Sequence, residues 1–421
     1  MRFPRIFFLL LPLLILVTPL SGAQERPGES LPRRPEWLAE WGPELPVELS
    51  AVSALLLDAE SGVVLYEKEP DRVIPPASLT KLMTVHLALL AAEEGRFSLT
   101  SRVPVPEAAW AQNQAPGSSL MFLGPGQEVS GEELLYGLGV TSGNDAAVAV
   151  SILLEGSVES FVAEMNREAR RLGYRTLTFH DPAGLSPENR STARELADFA
   201  EYLIRRHPGI LDFFALPSFT YPRSGSSLSG QRPSSITQLN RNLLLEEYSG
   251  ADGFKTGYIE ASKYNLVATA ERDGRRLVAV LLGVPGENHI EGGERRSREA
   301  RELFDFGYHR FELIEPAAPP LEPLRVYGSP KERVDLSPGP AAAVSLPVGE
   351  REFLEGVYTV PDHLWAPLEA GRRVGRIDYT LRGAEILSRP LVTAEEAPED
   401  TLLGRIYDRL VYLTRPFSES F

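Results

Sequence analysis

The 421-residue chain contains no cysteine. That excludes a structural disulfide, a thiolate nucleophile and lipid attachment through an N-terminal cysteine, and it is compatible with an oxidising compartment without requiring one. Histidine is scarce as well. Six residues (His86, His180, His207, His289, His309 and His363) lie scattered, with no metal-ligand spacing such as His-Glu-x-x-His, so neither a metal nor another cofactor is implied. His86, in an apolar stretch, reads as a satisfied core residue. Neither a Gly-x-Ser-x-Gly elbow nor a phosphate-cradling Lys-Ser/Thr loop occurs. Positive charge is in deficit: 43 Lys and Arg face 58 Asp and Glu, a net charge of −15. This argues against a nucleic-acid partner, which is met by a basic face. Apolar residues make up 43% of the chain, enough for a sizeable core. The length calls for more than one domain.

Long apolar runs are rare too. One opens the chain: Arg2 and Arg5 precede the run from Ile6 to Val17, interrupted by Pro12, and Ser21-Gly22-Ala23 supplies small residues for cleavage. The run is short for a membrane span of about 20 residues, so residues 1–23 read as an export signal. The expected location is periplasmic or otherwise extracytoplasmic, with attachment to the outer face of the cytoplasmic membrane as an open addition. Residues 24–46 form a Pro-rich lead-in, within which Trp37 and Trp41 stand four apart and can dock as one helical turn.

Ordered structure is expected from Val47. Ala54 to Leu57 and Val63 to Tyr66 flank a turn at Glu60-Ser61-Gly62 and predict a hairpin. Leu79 to Ala92 is apolar nearly all round, as in a buried helix. Glu132 to Leu138, Asn144 to Leu154, Val158 to Leu172 and Thr192 to Arg205 are also helical by period. Tyr264 to Ala270 and Arg276 to Val284 form a second hairpin around Asp273-Gly274, and Ser297 to Tyr308 a helix. Strand pair, helices, strand pair, helix is an α+β order: one antiparallel sheet, drawn from both ends of a unit over 47–314, packed against a helical cluster. A Pro-rich linker follows at 315–323. Short β-like runs then recur to about 395, which predicts a small all-β, sandwich-like domain over 324–395. The segment 396–421 is amphipathic. In it Thr401 to Leu413 puts Leu402, Leu403, Ile406, Tyr407, Leu410 and Leu413 on one face. That face can lie in a membrane interface, or dock on the protein itself; Arg405, Arg409 and Arg415 are its only cations.

Three short motifs carry chemistry. Ser78-Leu79-Thr80-Lys81 opens the buried helix, Ser142-Gly143-Asn144 leads into another, and Lys255-Thr256-Gly257 precedes the late hairpin. A serine hydroxyl needs a base to become a nucleophile. Three residues along a helix is nearly one turn, which sets Lys81 beside Ser78. Pro75 and Pro76 place Ser78 at the helix mouth, where the dipole favours developing negative charge. Lys81 must be neutral to accept a proton, and burial with a second cation such as Lys255 lowers its pKa. Ser142 can relay that proton to a leaving amine, and Asn144 can hold a substrate amide. Lys255 and Thr256 suit a terminal carboxylate, and Gly257 lets a ligand backbone approach the strand. The N–H groups of Ser78 and Tyr258 are candidate oxyanion donors. Singly each motif is common; in this order, at these junctions, they form one set.

That set resembles the low-molecular-mass penicillin-binding proteins of the D-alanyl-D-alanine carboxypeptidase family. Residues 74–84 are similar to the family's nucleophile segment. Gly117 to Leu123, Ser191-Thr192-Ala193-Arg194, Asp252 to Gly257 and Tyr264 to Ala268 extend the resemblance, which reaches from Val47 to the 390s. It implies a β-lactamase/transpeptidase-like catalytic domain followed by a small all-β domain. It also implies acylation of Ser78 by peptidoglycan stem peptides and by β-lactams, and a carboxylate-binding role for Arg296. A surface pair at a helix start is the plainer alternative for that arginine. Tyr258 stands where many relatives have His, Ser-Gly-Asn departs from Ser-Asp-Asn, and Asp181-Pro182-Ala183-Gly184-Leu185 occupies the loop before Ser191. The competing functions are a D,D-endopeptidase of cross-links, whose members generally lack the β-domain; a β-lactamase, for which no Glu-x-x-x-Asn segment is evident; and a peptidoglycan-binding protein without turnover.

Overall fold

The protein is described here by a computed structural model covering residues 33–222 and 235–414. The export signal, residues 24–32 of the lead-in and Arg415 lie outside the described residues. Order begins earlier than Val47: helix α1 (Glu36–Trp41) buries Trp37 and Leu38, and the Trp37 and Trp41 rings meet at 5.1 Å.

The centre of the molecule is a five-stranded antiparallel sheet. Its strands are β1 (Ser53–Asp58), β2 (Val64–Lys68), β3 (Ala251–Ile259), β4 (Lys263–Arg272) and β5 (Arg275–Val284), in the order β2-β1-β5-β4-β3. The expected hairpins are β1–β2 and β4–β5. Asp273 and Gly274 both take positive φ (52° and 75°), the backbone that a two-residue hairpin turn of right-handed twist requires. Side chains alternate across the sheet, yet both faces are covered, so every residue of β1 and β5 is buried. Leu55, Leu57, Val278, Val280 and Leu282 face one core, while Leu56, Leu277, Ala279 and Leu281 face another.

The first core belongs to α2 (Lys81–Glu93), α3 (Gly131–Tyr136), α4 (Asn144–Glu155), α5 (Val158–Arg171) and α6 (Ala193–Arg206). Polar caps stop the helices from fraying: Ser130 and Glu133 form a reciprocal capping box on α3, and Thr192 accepts from the Glu195 N–H on α6. His86 of α2 is fully buried and satisfied, its ring nitrogens 2.8 Å from His207 Nε2 and 2.8 Å from Glu168 Oε1. The second core lies under α7 (His289–Arg310), whose Ala300, Leu303 and Phe304 pack on the sheet beside α1. This helix starts at His289, a full two turns before the expected Ser297. Asn288 caps it by accepting from the Ile290 and Glu291 N–H groups, and the Gly292-Gly293 pair, poor in helix propensity, hid its first turns from a periodicity reading.

After α7 the chain is all-β. Phe311–Ile314 pairs with Val344–Pro347, and a four-stranded sheet runs Leu336–Pro338, Ala384–Thr393, Arg373–Leu381, Leu354–Thr359. A smaller sheet joins Arg333–Val334, Leu324–Tyr327 and His363–Trp365. The two parts meet at a buried ion pair. Arg275 Nε lies 2.7 Å from Asp58 Oδ2, and Ser345 Oγ donates to that same oxygen at 2.6 Å. Helix α8 (Leu402–Leu413) is held on the all-β part at one edge: Asp408 accepts from the Gly328 N–H at 2.6 Å, and the Tyr412 ring meets Tyr327, His363 and Trp365. Its apolar side, including Leu403 and Leu413, stays exposed. Among the described residues no single helix is long and apolar enough to cross a membrane.

Candidate active site

Ser78 lies in a 3₁₀ turn (Ala77–Thr80) that runs straight into α2, so it stands one step outside the α-helix proper. The turn is held against the sheet. Asn265 of β4 donates to the Pro75 carbonyl at 3.1 Å and accepts from the Gly283 N–H. Ala77 is forced to φ 53°, an uncommon conformation for a residue with a Cβ. Two glycines permit this. A Cβ on Gly257 would stand 2.9 Å from the Pro76 oxygen and 3.1 Å from the Ser78 nitrogen, and one on Gly184 would stand 1.8 Å from the Ala77 oxygen. Strand β3 and the 181–185 loop therefore press on the Ser78 turn from two sides, and the β3 backbone passes close to the Ser78 N–H.

Lys81 is fully buried. Its Nζ lies 3.1 Å from Ser78 Oγ, 2.7 Å from Asn144 Oδ1 and 2.7 Å from the Ala183 carbonyl. Burial lowers its pKa to about 7; Asp181 and Asp145 oppose that shift, and Arg241 adds to it. An amine in this state is free to take the serine proton near neutral pH. Lys255 is also buried, donates to the Thr256 carbonyl at 3.0 Å, and is driven well below the usual lysine range by burial and then by Lys81, Arg241 and Arg296. Lys81 lowers Lys255, but the cation that lowers Lys81 is Arg241, not the expected Lys255: of two neighbouring amines the more strongly depressed one gives up its charge first and then no longer repels the other.

Ser142 ends a π-helical turn over Gly137–Thr141 in a left-handed conformation (φ 58°) and is buried at the cleft wall. Asn144 is the first residue of α4, and its N–H donates to the Ser119 carbonyl at 2.8 Å. Next to it Asp145 accepts from Met121 N at 2.8 Å and Leu123 N at 3.0 Å, which fixes the 117–123 wall. Arg296 is no surface pair. It is 7% exposed, reaches the Arg241 carbonyl at 3.1 Å, and has its pKa lowered to about 10 by burial and then by Arg241. Among the described residues no carboxylate is recorded in an ion pair with it. Tyr258 lines the cleft, but its hydroxyl donates to Glu260 at 2.8 Å and its ring packs on Tyr264 and His289. Its side chain is turned to the rim, which leaves its backbone as the part available to chemistry.

These parts line one cleft of about 730 Å³, including Ser78, Ser142, Asn144, Thr256, Gly257 and Arg296. Lys81 and Lys255 lie directly beneath it, in hydrogen-bond contact with Ser78 and Thr256. Sequence reasoning missed Arg241, whose Nη1 donates to Ser119 Oγ at the cleft wall. It quoted the 181–185 loop without a role. Asp181 gathers the Ala183, Gly184 and Ser186 N–H groups at 2.7, 2.6 and 2.8 Å, which aims the Ala183 carbonyl at Lys81. The Asp-Pro-x-Gly pattern was a signal for that turn; nothing in the sequence marked Arg241. Among the described residues no group of three or more His, Asp and Glu is placed to hold a metal.

The model of the D-alanyl-D-alanine carboxypeptidases matches residues 40–286, and that of the penicillin-binding protein 5 C-terminal domain matches 311–399. The D-alanyl-D-alanine carboxypeptidase DacC of Escherichia coli is 36% identical over 87% of this chain and 89% of its own, and the DacA of that organism 34% identical over 86% and 87%. Penicillin-binding protein 5 of Haemophilus influenzae superposes with a TM-score of 0.73 at 32% identity, covering 85% of this chain and all of that one. Penicillin-binding protein D2 of Listeria monocytogenes, in its cefotaxime-bound form, gives a TM-score of 0.54 at 27% identity, covering 63% of this chain and all of that one. Motifs, sheet order and these likenesses agree: the chain belongs to the D-alanyl-D-alanine carboxypeptidase family and is a serine-type carboxypeptidase.

Proposed function

We propose that Ser78 is the nucleophile with which this carboxypeptidase removes the terminal D-alanine from peptidoglycan stem pentapeptides. One observation carries the reading: an amine lowered to about pH 7 stands 3.1 Å from a serine hydroxyl at the floor of a cation-lined cleft. The substrate's terminal carboxylate meets Thr256, Lys255 and Arg296, with Arg241 beyond. Its arrival supplies the counter-charge that the buried cations lack, so substrate binding and proton uptake by Lys255 are coupled. The Ser78 oxygen bonds to the carbonyl carbon of the penultimate residue while its proton passes to Lys81. The carbonyl oxygen becomes an oxyanion between the N–H groups of Ser78 and Tyr258. As the C–N bond breaks, the proton leaves Lys81 and reaches the departing amine by way of Ser142, with Asn144 holding the substrate amide. Water, deprotonated in the same manner, then attacks the ester and frees Ser78.

A β-lactam presents the same carbonyl and carboxylate and acylates the same oxygen; the cefotaxime-bound relative supports this. Peptidoglycan lies outside the cytoplasm, in keeping with the export signal read at 1–23 and an extracytoplasmic location. The decisive test is mass spectrometry after incubation with penicillin or diacyl-D-Ala-D-Ala peptide. A serine adduct should form in the wild type and be absent in Ser78→Ala; an adduct retained in that variant would refute the assignment.

A further inference from the structure

Besides the residues used above, the cleft is lined by Leu239 and Leu243 and by Ile290, Gly293 and Glu294 of α7. Gly293 sits inside a helix, where glycine is disfavoured. Neither of the usual reasons for it applies. Its φ is not left-handed, and a Cβ placed on it would meet nothing within 4 Å. The contrast with its neighbour is sharp: a Cβ on Gly292 would strike the Tyr264 ring at 2.1 Å, so that glycine is demanded by packing. Among the described residues Gly293 leaves open space in the cleft.

A second observation points the same way. Among the described residues outside α8, the two most exposed large apolar side chains are Leu239 and Ile290, each 74% exposed, and both line the cleft. They offer it exposed apolar surface. The position of this space identifies what fills it. Gly293 is three residues before Arg296 and shares its helix face. Arg241 stands between Leu239 and Leu243 in sequence. In the reaction above, the residue whose carboxylate meets Arg296 is the one that leaves.

Resting on that reading, we propose that the leaving-group side of the cleft accepts a D-amino acid with an extended, methylene-rich side chain, and that Gly293 is the specificity-determining residue that makes the room. The chemistry is unchanged: the C–N bond breaks, the acyl carbon gains the water's hydroxyl, and the released amine takes the proton.

The test compares two synthetic diacyl peptides, one ending D-Ala-D-Ala and the other D-Ala-D-norleucine. For the wild type, kcat/KM on the norleucine peptide should lie within about thirtyfold of that on the alanine peptide. In Gly293→Leu the norleucine-to-alanine ratio should fall by about tenfold, with the melting temperature no lower than the wild type. Gly293→Ala, whose added carbon meets nothing in the protein, guards against misfolding of the larger variant and should lower the ratio about twofold. A wild type that cleaves alanine but rejects norleucine by more than about thirtyfold overturns this inference alone, as does an unchanged ratio in the folded variants. Cleavage of neither peptide overturns the carboxypeptidase reading and this one together.

Discussion

A lysine can serve as a base only where its charge is unaffordable, and Lys81 is placed so. Its pKa of about 7 arises first from burial, against the pull of Asp181 and Asp145. Two consequences follow from the sign of that shift. Acylation, read as kcat/KM, should rise about tenfold per pH unit below the pKa and level off above it, as the amine loses its proton. A flat profile between roughly pH 5 and 8 would remove Lys81 from the role. In stability the unfolded chain holds a proton that the folded one lacks between about 7 and the ordinary 10.5. The Lys81 contribution therefore strengthens the fold as pH rises through that window and is unfavourable below it. The glycine pressed on the Ser78 turn is equally exposed to test. Gly184→Ala adds a carbon 1.8 Å from the Ala77 oxygen at a φ of +88°, so the turn must move. Stopped-flow acylation by a fluorescent penicillin should slow by about a hundredfold, as expected for a nucleophile displaced by about an ångström. A near-normal rate would show that the turn tolerates the shift.

At the scale of the element, α7 does two jobs with adjacent residues. It caps the second core through Ala300, Leu303 and Phe304 and carries Arg296 into the cleft. Its glycine pair separates by packing: Gly292→Ala forces the Tyr264 ring aside and should cost about 1–3 kcal/mol. Gly293→Ala should instead gain up to about 1 kcal/mol from helix propensity. Urea melts of the two variants should therefore move in opposite directions; a shared loss would place Gly293 in the packing as well. The same pair explains why this helix was read short. Periodicity registers apolar faces, and a turn built around two adjacent glycines shows none. Helices α4 to α6 fared better because each buries an apolar stripe and carries polar residues at its ends, and both features are written in local sequence.

At the scale of the whole molecule, the catalytic sheet and the all-β part share the buried Asp58–Arg275–Ser345 contact, in which Arg275 also donates to the Gly307 and Phe311 carbonyls. Removing one partner strands a charge. Arg275→Met should cost about 3–5 kcal/mol in urea unfolding, and adding Asp58→Leu should recover part of it. A loss under about 1 kcal/mol would mean that water reaches the carboxylate. The sequence by itself determined the α+β order, the two hairpins, the buried helix and the three motifs, because strand alternation, helix period and turn chemistry act over a few neighbours. Tertiary structure decided what depends on distance through space. It brought the Ala183 carbonyl and Asn144 onto Lys81, set Arg241 against Arg296, and turned the Tyr258 hydroxyl out to Glu260. Burial and electrostatic fields sum over residues far apart in the chain, and that sum is available only once the chain has folded.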